Sequence, residues 1–440
     1  MRSYPKYKLS GVDYLGEIPC DWSVWKIFRL FKKIGSGTTP KAGTPEYYEN
    51  GIIPWINTGD LNDGYISDCP SYITQKAFDE HTALKIYDEG TLLVAMYGAT
   101  IGKTAITKLK ACTNQACCSL VASKLIDIKF AFYWFIANKE NIINLSYGGG
   151  QPNISQDIVR ALKISVCSID EQQQIVTFLD YKTEQCDRFI ANRQKQIELL
   201  NEQKASIINK AVTKGINPNV KMKPSGIEWL PEVPADWDVW KMIRLCKKIG
   251  DGLHGTPVYE EGSGIFFING NNLSNGNIEI NENTREVEPK HFEAIKKDIL
   301  IGSILFSING TIGSNAIYKG ENILLSKSAA FFECKTKIIN LYLLRYLTSN
   351  SVLNYLYSTT EGTTIKNISL DTLRNLKIPL PSNLEQQIIL DFIKKETSTI
   401  ETLISKYQKQ IDLMQEYRTA LISQAVTGKI DVREWKHKTK

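Results

Sequence analysis

An internal duplication is the feature of this sequence that most constrains its fold. Residues 10–37 read SGVDYLGEIPCDWSVWKIFRLFKKIGSG, and residues 225–252 read SGIEWLPEVPADWDVWKMIRLCKKIGDG. Three short motifs also recur at a nearly constant offset: NIS at 153 and 367, EQQ at 171 and 385, and AVT at 211 and 425. Such self-similarity predicts two units built on the same framework.

Each copy divides into a globular module and a helical segment. The modules mix short β-rich runs with Gly, Asn and Pro turns, as in IIPWINTGDL and SGIFFINGNNL, which favours sheet-rich α/β structure. The segments that follow contain almost no Gly or Pro and are rich in helix-favouring residues. The predicted boundaries are a first module at 1–165, a central helix at 166–214, a polar linker at 215–224, a second module at 225–380, a C-terminal helix at 381–430 and a tail at 431–440.

Both helical segments carry heptad repeats. Apolar residues recur at alternating spacings of three and four, which places them on one stripe that must be buried against another helix. Each stripe has a cation at the same site, Lys204 or Arg418. A helix lying on its own module is the alternative, but two such helices in one duplicated chain favour mutual pairing. The predicted pairing residues are Ile190, Ile197, Leu200, Ile207, Ile404, Ile411, Met414 and Leu421.

Composition narrows the class of protein. With 42% hydrophobic residues the chain can form buried cores, and its net charge of +6 permits nucleic-acid binding without demanding it. The nine cysteines lack zinc-type spacing, so we expect reduced structural thiols. The sequence shows no signal core and no apolar run long enough to span a membrane, so we expect a cytoplasmic protein.

The candidate motif for nucleotide binding fails on its spacing, and no recognisable catalytic motif occurs in the sequence. GATIGKT at 98–104 has three residues between its glycines where a phosphate-binding loop has four, and the matching GTIGS lacks the lysine. A glycine-rich strand turn that touches DNA phosphates through backbone N–H groups and Lys103 is the better interpretation. The runs GGGQPN at 148–153 and EGTTIKN at 361–367 fit either close approach to a ligand or a plain connection.

Polar side chains concentrate in the loops of the modules. Asn and Gln are suited to reading adenine, and Lys or Arg to reading guanine, in the major groove of DNA. Loops are polar in most proteins, so the assignment of base contacts is a hypothesis for each residue. The candidates are Ser36, Thr38, Thr39, Asn57, Thr58, Lys103, Asn114 and Gln115 in the first copy, and His254, Thr256, Asn269, Asn271, Asn272, Asn309, Thr311, Lys327 and Ser328 in the second.

The repeated tryptophans and the helix length lead to two further predictions. Trp22, Trp25, Trp237 and Trp240 should pack beneath the sheets rather than stack on bases, because their repetition fits a shared core. A continuous helix of about 40–45 residues is a rod about 60–65 Å long. Because DNA rises about 3.4 Å per base pair, a paired rod could hold two modules about one to two helical turns apart.

Several of the repeated motifs together resemble those of a known protein family. The repeated opening motif, the run KKIGSGTTP at 32–40, the PNIS and EQQ motifs, and the helix endings KAVTKG and QAVTGK resemble the specificity subunits of type I restriction–modification systems. The similarity covers nearly the entire chain. One departure is that the TTP of the first copy becomes LHGTP at 253–257 in the second. Roles of individual residues in the family are therefore not assigned to this loop.

The resemblance implies an α+β fold in which two duplicated α/β target-recognition domains are separated by a pair of long antiparallel coiled-coil helices. It implies that each domain reads one half of a split, asymmetric site on double-stranded DNA, while the helices set the gap. Two DNA-methyltransferase (modification) subunits would dock on the helices and domains, and motor-nuclease restriction subunits would complete the enzyme. S-adenosylmethionine would be bound by the partner, so we expect no catalytic residue, metal or cofactor in this chain.

Two other functions stay open from the residues alone. The first is a self-contained nuclease or methyltransferase, against which the missing motifs argue. The second is a two-lobed scaffold that binds proteins but not DNA, which the mild net charge permits.

Overall fold

The computed structural model describes residues 2–146, 153–274, 276–360 and 366–436. It contains two compact units, one formed by Met1–Arg193 with Lys409–Lys440 and the other by Gln194–Gln408. Each unit therefore combines one module with part of each helical segment. The two glycine-rich or polar runs predicted at 148–153 and 361–367 lie almost wholly outside the described residues.

The first copy alternates short strands with short helices. Its strands are β1 (Tyr7–Leu9), β2 (Glu17–Pro19), β3 (Ser23–Lys26), β4 (Phe31–Gly35), β5 (Ile53–Ile56), β6 (Gly64–Ile66), β7 (Tyr72–Ile73), β8 (Leu92–Ala95), β9 (Thr104–Thr107), β10 (Cys112–Thr113), β11 (Cys117–Ala122) and β12 (Lys163–Val166). Its helices are α1 (Pro45–Tyr48), α2 (Gln75–Glu80), α3 (Ile128–Ala137), α4 (Lys139–Asn144), α5 (Gln156–Ala161) and the long α6 (Ile169–Lys214).

The second copy follows a closely similar order. Its strands are β13 (Met222–Ile227), β14 (Leu230–Pro234), β15 (Asp238–Lys241), β16 (Cys246–Asp251), β17 (Phe266–Ile268), β18 (Leu273–Ser274), β19 (Asn277–Ile278), β20 (Ile304–Ser307), β21 (Asn315–Ile317), β22 (Ile323–Leu325), β23 (Ala329–Cys334) and β24 (Lys377–Leu380). Its helices are α7 (Met242–Leu245), α8 (Pro289–Ile295), α9 (Lys337–Leu347), α10 (Asn350–Ser358), α11 (Leu370–Asn375) and the long α12 (Asn383–Val426).

The main sheets of the two modules share the order of four strands. The first has a sheet of order β4-β11-β8-β9-β6, and the second has a sheet of order β16-β23-β20-β21. In each, a short parallel pair lies beside the main sheet, β5 with β10 and β17 with β22. A two-stranded antiparallel pair also recurs, β3 with β12 and β15 with β24. The predicted α+β fold with duplicated α/β modules is confirmed.

The long helices run antiparallel within each unit. In the second unit Lys204 Nζ lies 2.6 Å from Glu401 Oε1, and Val212 shares a buried cluster with Ile389 and Ile393. Moving forward along α6 therefore means moving backward along α12. In the first unit, Phe178 and Leu179 share a buried cluster with Leu421 and Ile422. The same antiparallel order holds there.

The predicted heptad stripe is the covered face of both helices. Ile411 and Leu421 are buried, at 3% and 2% exposure. The other six predicted pairing residues, Ile190, Ile197, Leu200, Ile207, Ile404 and Met414, are half-buried. Mutual pairing of the long helices is confirmed, because a stripe of this spacing stays in register with a partner helix.

The ion pairs between the helices are themselves duplicated. Arg418 Nε lies 2.9 Å from Asp187 Oδ1 in the first unit, without linear hydrogen-bond geometry, and it corresponds to the Lys204–Glu401 pair of the second. The cations predicted at equivalent stripe positions are thus matched by acids at equivalent positions of the facing helix.

The repeated EQQ motif fastens each module to the start of its long helix. Trp22 Nε1 donates to Glu171 Oε1 at 3.2 Å, and Trp237 Nε1 donates to Glu385 Oε1 at 2.9 Å. The Tyr4 hydroxyl also donates to Glu171 Oε1 at 2.6 Å. Burial, aided by this carboxylate, raises the pKa of Tyr4. The duplicated Trp–Glu bond explains why these residue types recur together.

The prediction for the four tryptophans is half right. Trp22 and Trp237 are buried, at 1% and 0% exposure. The prediction was wrong for Trp25 and Trp240, which are 36% and 44% exposed. They lie on β3 and β15, and each of these strands pairs with a single neighbour, so part of each indole stays in solvent.

Each long helix is followed by a glycine whose conformation and close neighbours favour that residue. Gly215 and Gly428 have φ angles of +72°, a left-handed conformation that favours glycine at helix ends. A Cβ on Gly428 would lie 2.5 Å from Pro19 Cδ, and one on Gly215 would lie 3.4 Å from the Trp237 ring. The endings KAVTKG and QAVTGK therefore place a glycine against each module's buried tryptophan.

All nine cysteines are free thiols, and burial raises the pKa of Cys112 and of Cys118 to about 12. Among the described residues, no helix combines the length and apolarity that crossing a membrane requires.

Candidate nucleic-acid interface

The candidate residues of the first copy gather where β4, β5 and β10 end. Gly37 N donates to Asn114 O at 3.3 Å, and Asn114 N donates to Ile56 O at 3.0 Å. A Cβ on Gly37 would lie 1.6 Å from Thr113 O, so no side chain fits at this position. The glycine lets the loop after β4 approach the neighbouring backbone.

Side chains of this cluster also meet. The Thr39 hydroxyl donates to Gln115 Oε1 at 2.6 Å, and both residues are exposed. Trp55 Nε1 donates to Thr38 O at 3.2 Å, which holds the loop from beneath. The structure thus brings Thr38, Thr39, Asn114 and Gln115 together, with the Gln115 amide facing solvent. Ser36, half-buried, precedes them directly.

Asn57 and Asn269 occupy equivalent turns. Each side-chain oxygen accepts a backbone hydrogen bond three residues on, and the third residue, Asp60 or Asn272, returns a bond to the asparagine N–H. Thr58, half-buried, is the first residue of its turn, and Asn271, exposed, is the second residue of the other turn. The cap uses one lone pair of the asparagine oxygen, so the amide nitrogen and the second lone pair of Asn57 or Asn269 are available for a base contact.

Asn272 is placed differently from the prediction. Its side chain is 8% exposed, Nδ2 donates to Glu279 O at 3.1 Å and Thr284 Oγ1 at 3.3 Å, and Oδ1 accepts from Asn269 N at 3.0 Å. We therefore assign Asn272 to internal support of the loop rather than to base contact, because its polar groups are already paired.

In the second copy the loop after β16 approaches the neighbouring backbone equally closely, but with other residues. A Cβ on Gly252 would lie 2.0 Å from Leu325 O, as at Gly37. Ser326 N donates to Ile268 O at 2.9 Å, the counterpart of the Asn114 bond. Lys327 is exposed, and the Ser328 hydroxyl lies 2.7 Å from Ser326 Oγ. Sequence reasoning missed Ser326, although alignment of the copies places it opposite Asn114.

A cluster without a counterpart in the first copy surrounds His254. Its Nε2 lies within hydrogen-bond distance of Asp251 Oδ2. Lys297 Nζ donates to Asp251 O at 2.6 Å and to Gly252 O at 3.0 Å. His254 and Thr256 are exposed. Sequence reasoning missed Lys297, because it lies far along the chain in a segment that the duplication does not match closely.

Lys103, Asn309 and Thr311 lie in the turns between β8 and β9 and between β20 and β21. The glycines of the first turn have left-handed φ angles, +64° at Gly98 and +74° at Gly102, and the turn joins antiparallel strands. The glycine-rich strand turn is confirmed. Within the described residues, no hydrogen bond joins Lys103 to the Thr39–Gln115 pair, and contact with phosphate stays a prediction.

The chemistry available at these loops is hydrogen bonding and positive charge. Among the residues that the structure describes, no group of three or more His, Cys, Asp or Glu side chains is placed to hold a metal ion. The exposed groups are amides, hydroxyls and amines, the types that contact base edges and phosphates.

Comparison with known proteins bears on this arrangement. The family model described as "Type I restriction modification DNA specificity domain" matches residues 19–199 and 234–412, most of the chain and one match in each copy. This chain belongs to that family. The resemblance drawn from the repeated motifs is confirmed.

Relatives with type I specificity names match along nearly their full lengths. The MjaIX specificity subunit of Methanocaldococcus jannaschii is 27% identical over 448 residues, covering 96% of this chain and 96% of the relative. The MjaVIII specificity subunit of the same organism is 26% identical, covering 94% of each. A chain from a solved type I R-M system, in work on complex assembly and conformational transition, has a TM-score of 0.66 at 15% identity and covers 94% of this chain and 99% of its own length. The last likeness concerns the fold alone.

Proposed function

We propose that this specificity subunit is a non-catalytic DNA reader in which each module recognises one half of a bipartite, asymmetric site. One observation carries the proposal: the two copies keep the same scaffold bonds while the loops after β4 and β16 differ. Thr39 and Gln115 are exposed in one copy, and His254 and Lys327 in the other. Identical frameworks with unlike exposed groups suit a reader of two unlike sequences.

The long helices set the gap between the half-sites in this proposal. The 46 residues of α6 would span about 70 Å at about 1.5 Å per residue. The antiparallel partner stiffens the rod through the buried stripe. Two modification subunits dock on the duplicated surfaces, bind S-adenosylmethionine and transfer the methyl group. Restriction subunits complete the nuclease, and the complex acts in the cytoplasm on host and foreign DNA.

Methylation mapping tests the reader role. The chain would be co-expressed with its cognate modification subunit in a host lacking adenine methylation, and methylated adenines would be located by single-molecule sequencing. A two-part motif with a fixed gap is the expected result. Methylation by this chain alone would favour a self-contained enzyme. Complex formation without sequence-dependent methylation or DNA binding would favour the protein scaffold.

Loop variants assign each half-site to its module. Thr39→Ala with Gln115→Ala should alter only one half of the methylated motif, because both side chains belong to the first copy. Lys327→Ala is the matched variant and should alter only the other half. Variants that relax both halves together would contradict independent reading.

Matched deletions test the ruler. Removing four residues from 195–202 of α6 together with the four that face them, within 403–410 of α12, keeps the antiparallel helices in register and shortens the rod by about 6 Å. The gap should shrink by about two base pairs with both half-sites unchanged. An unchanged gap would contradict the ruler role.

A further inference from the structure

One exposed surface is nearly identical in the two copies. We define the cationic patch of the first copy as Trp25, Lys26, Phe28, Arg29, Arg160 and Lys163, and that of the second copy as Trp240, Lys241, Ile243, Arg244, Arg374 and Lys377. Only one position differs, and there Ile243 replaces Phe28 with another apolar side chain. The loops proposed to read DNA show no such agreement, so a different requirement has kept the patches alike.

Strand pairing makes each patch continuous. Lys26 lies directly opposite Lys163 on β3 and β12, and Lys241 lies directly opposite Lys377 on β15 and β24. Helix α5, which carries Arg160, contacts the turn Ile27–Arg29. Helix α11 contacts α7 in the same way. The two lysines of each copy therefore lie side by side, and its two arginines, of which Arg160 and Arg374 are half-buried, belong to elements that contact each other.

The arrangement is unfavourable for the isolated chain. Like charges directly opposite each other on neighbouring strands repel, and this happens in both copies. Within the described chain, none of the eight patch cations has a carboxylate at ion-pair distance; Lys241 and Lys377 donate instead to Asn375 Oδ1 and Gly226 O. Asp157 and Asp371 are the single carboxylates on α5 and α11. Each surface keeps an excess of positive charge that calls for an acidic ligand.

Exposed apolar side chains are the sequence neighbours of these cations. Trp25 and Phe28 are 36% and 41% exposed, and Trp240 and Ile243 are 44% and 50% exposed. Trp and Arg are enriched among the residues that dominate binding energy at protein interfaces. A DNA phosphate would use the cations but would leave Phe28 and Ile243 in water.

The position of the patches also argues against DNA. Arg29 comes just before β4, while the candidate reading loop begins at Ser36, just after it. Five extended residues separate the two features by about 17 Å. The same order holds around β16, with Arg244 before the strand and Gly252 after it. Patch and reading loop thus lie at opposite ends of one strand in each module.

We propose that each cationic patch is the docking surface for one modification subunit, which presents an acidic surface with an apolar centre. The inference rests on the proposed function and deepens it, since two identical subunits require two identical surfaces. Charge complementarity steers the partner onto the patch, and the buried Trp and Phe or Ile side chains supply affinity.

Native mass spectrometry of the full chain with the purified cognate modification subunit tests the proposal. The first variant is Trp25→Ala with Lys26→Glu and Arg29→Glu, and the second is Trp240→Ala with Lys241→Glu and Arg244→Glu. Wild type should bind two subunits, either variant one, and the combined variant none, with each lost site weakened at least about 30-fold. The matched control, Lys85→Glu with Lys124→Glu, removes exposed cations outside the patch and should bind two.

Folding and DNA binding are followed in the same samples. Lys26→Glu places opposite charges across β3 and β12, so the melting temperature should not fall. Lys26→Arg with Arg29→Lys should keep binding within about threefold, because the charge is retained. DNA affinity at about 0.15 M salt, where charge effects are screened beyond about 8 Å, should change by less than about threefold in the patch variants when measured by fluorescence anisotropy.

Three outcomes would overturn the proposal. Two subunits bound to the combined variant would remove the docking role. Lost DNA affinity with partner binding intact would assign the patches to phosphate contact. A wild-type chain that binds no modification subunit would remove the proposed partner as well as the patch, whereas the first two results leave the proposed reading of a bipartite site by the wild-type chain standing.

Discussion

The two copies agree where they fold against the long helices and differ where their loops leave the first long strand. Trp22 and Glu171 make the same bond as Trp237 and Glu385. After β4, however, Thr39 bonds to Gln115, whereas the loop after β16 is organised by Asp251. Buried contacts permit few alternatives, because a lost partner leaves an unpaired polar group. Exposed loops carry no such penalty and are free to diverge.

The two copies should behave most alike at their buried tryptophans. Trp22→Ala and Trp237→Ala should each destabilise their own unit by about 3–5 kcal/mol, since each removes a fully buried ring and leaves a cavity. Hydrogen-exchange mass spectrometry resolves the two units separately. The exposed neighbour serves as the control, and Trp240→Ala should cost under about 0.5 kcal/mol. A loss below about 1 kcal/mol at either buried site would break the equivalence of the scaffolds.

Substitutions of Gly37 and Gly252 test whether both copies depend on the close approach of the loop to the neighbouring backbone. Gly37→Ala and Gly252→Ala would each place a Cβ within 2.0 Å of a backbone oxygen. Because this contact forces the loop to shift, each substitution should reduce the free energy of unfolding by about 1–3 kcal/mol. Each substitution should weaken methylation at one half-site only, read by sequencing. Gly59→Ala, where a Cβ meets nothing within 4 Å, is the control and should leave both half-sites intact.

The duplicated ion pairs should be worth the same small amount. Alanine double-mutant cycles on Lys204–Glu401 and on Arg418–Asp187 should each give a coupling of about 0.5 kcal/mol, because both pairs are partly exposed. Urea unfolding followed by exchange in each unit measures the coupling. Arg188 and Glu184, 3.8 Å apart and more exposed, should couple less. Couplings that differ by more than about 1 kcal/mol would show that the pairs are not equivalent.

The smallest expected effect concerns chain ends in the first unit, which have no duplicate. The Arg433 guanidinium holds the pKa of Asp431 below its ordinary value, so the carboxylate stabilises the fold above that value and ceases to do so as pH falls through the lowered pKa. Asp431→Asn should cost under about 1 kcal/mol near pH 6, and the difference should shrink as the pH falls through the lowered pKa of Asp431. Exchange in residues 222–380 should not change. A difference that grows in acid would contradict the sign.

Much of the architecture was predictable because it rests on local patterns. The heptad spacing identified the covered face that includes Ile411 and Leu421, since a 3.5-residue repeat fixes which side of a helix meets its partner. The duplication predicted the shared framework. Family membership followed from motifs whose bonds, such as Trp22 to Glu171, only the structure shows.

The candidate site was predictable only in part. The loops that carry Thr39, Gln115 and Lys327 were identified from polarity, and the structure places them at strand ends. Asn271 and Asn272 look alike in the sequence, yet one is exposed and the other is buried with its amide fully bonded. Lys297 could not be found, because its contact with the His254 loop joins residues far apart in the chain.

The sequence by itself determined that this chain is a duplicated pair of modules with two long heptad helices, because repetition and periodicity are properties of residue order. Only the tertiary structure decided that each compact unit takes part of both helices, and that Trp22 is buried while Trp25 is exposed. Burial depends on which neighbours cover a side chain, and those neighbours come from distant segments. The cationic patches likewise exist only because β3 pairs with β12 and β15 with β24, which sets lysine against lysine.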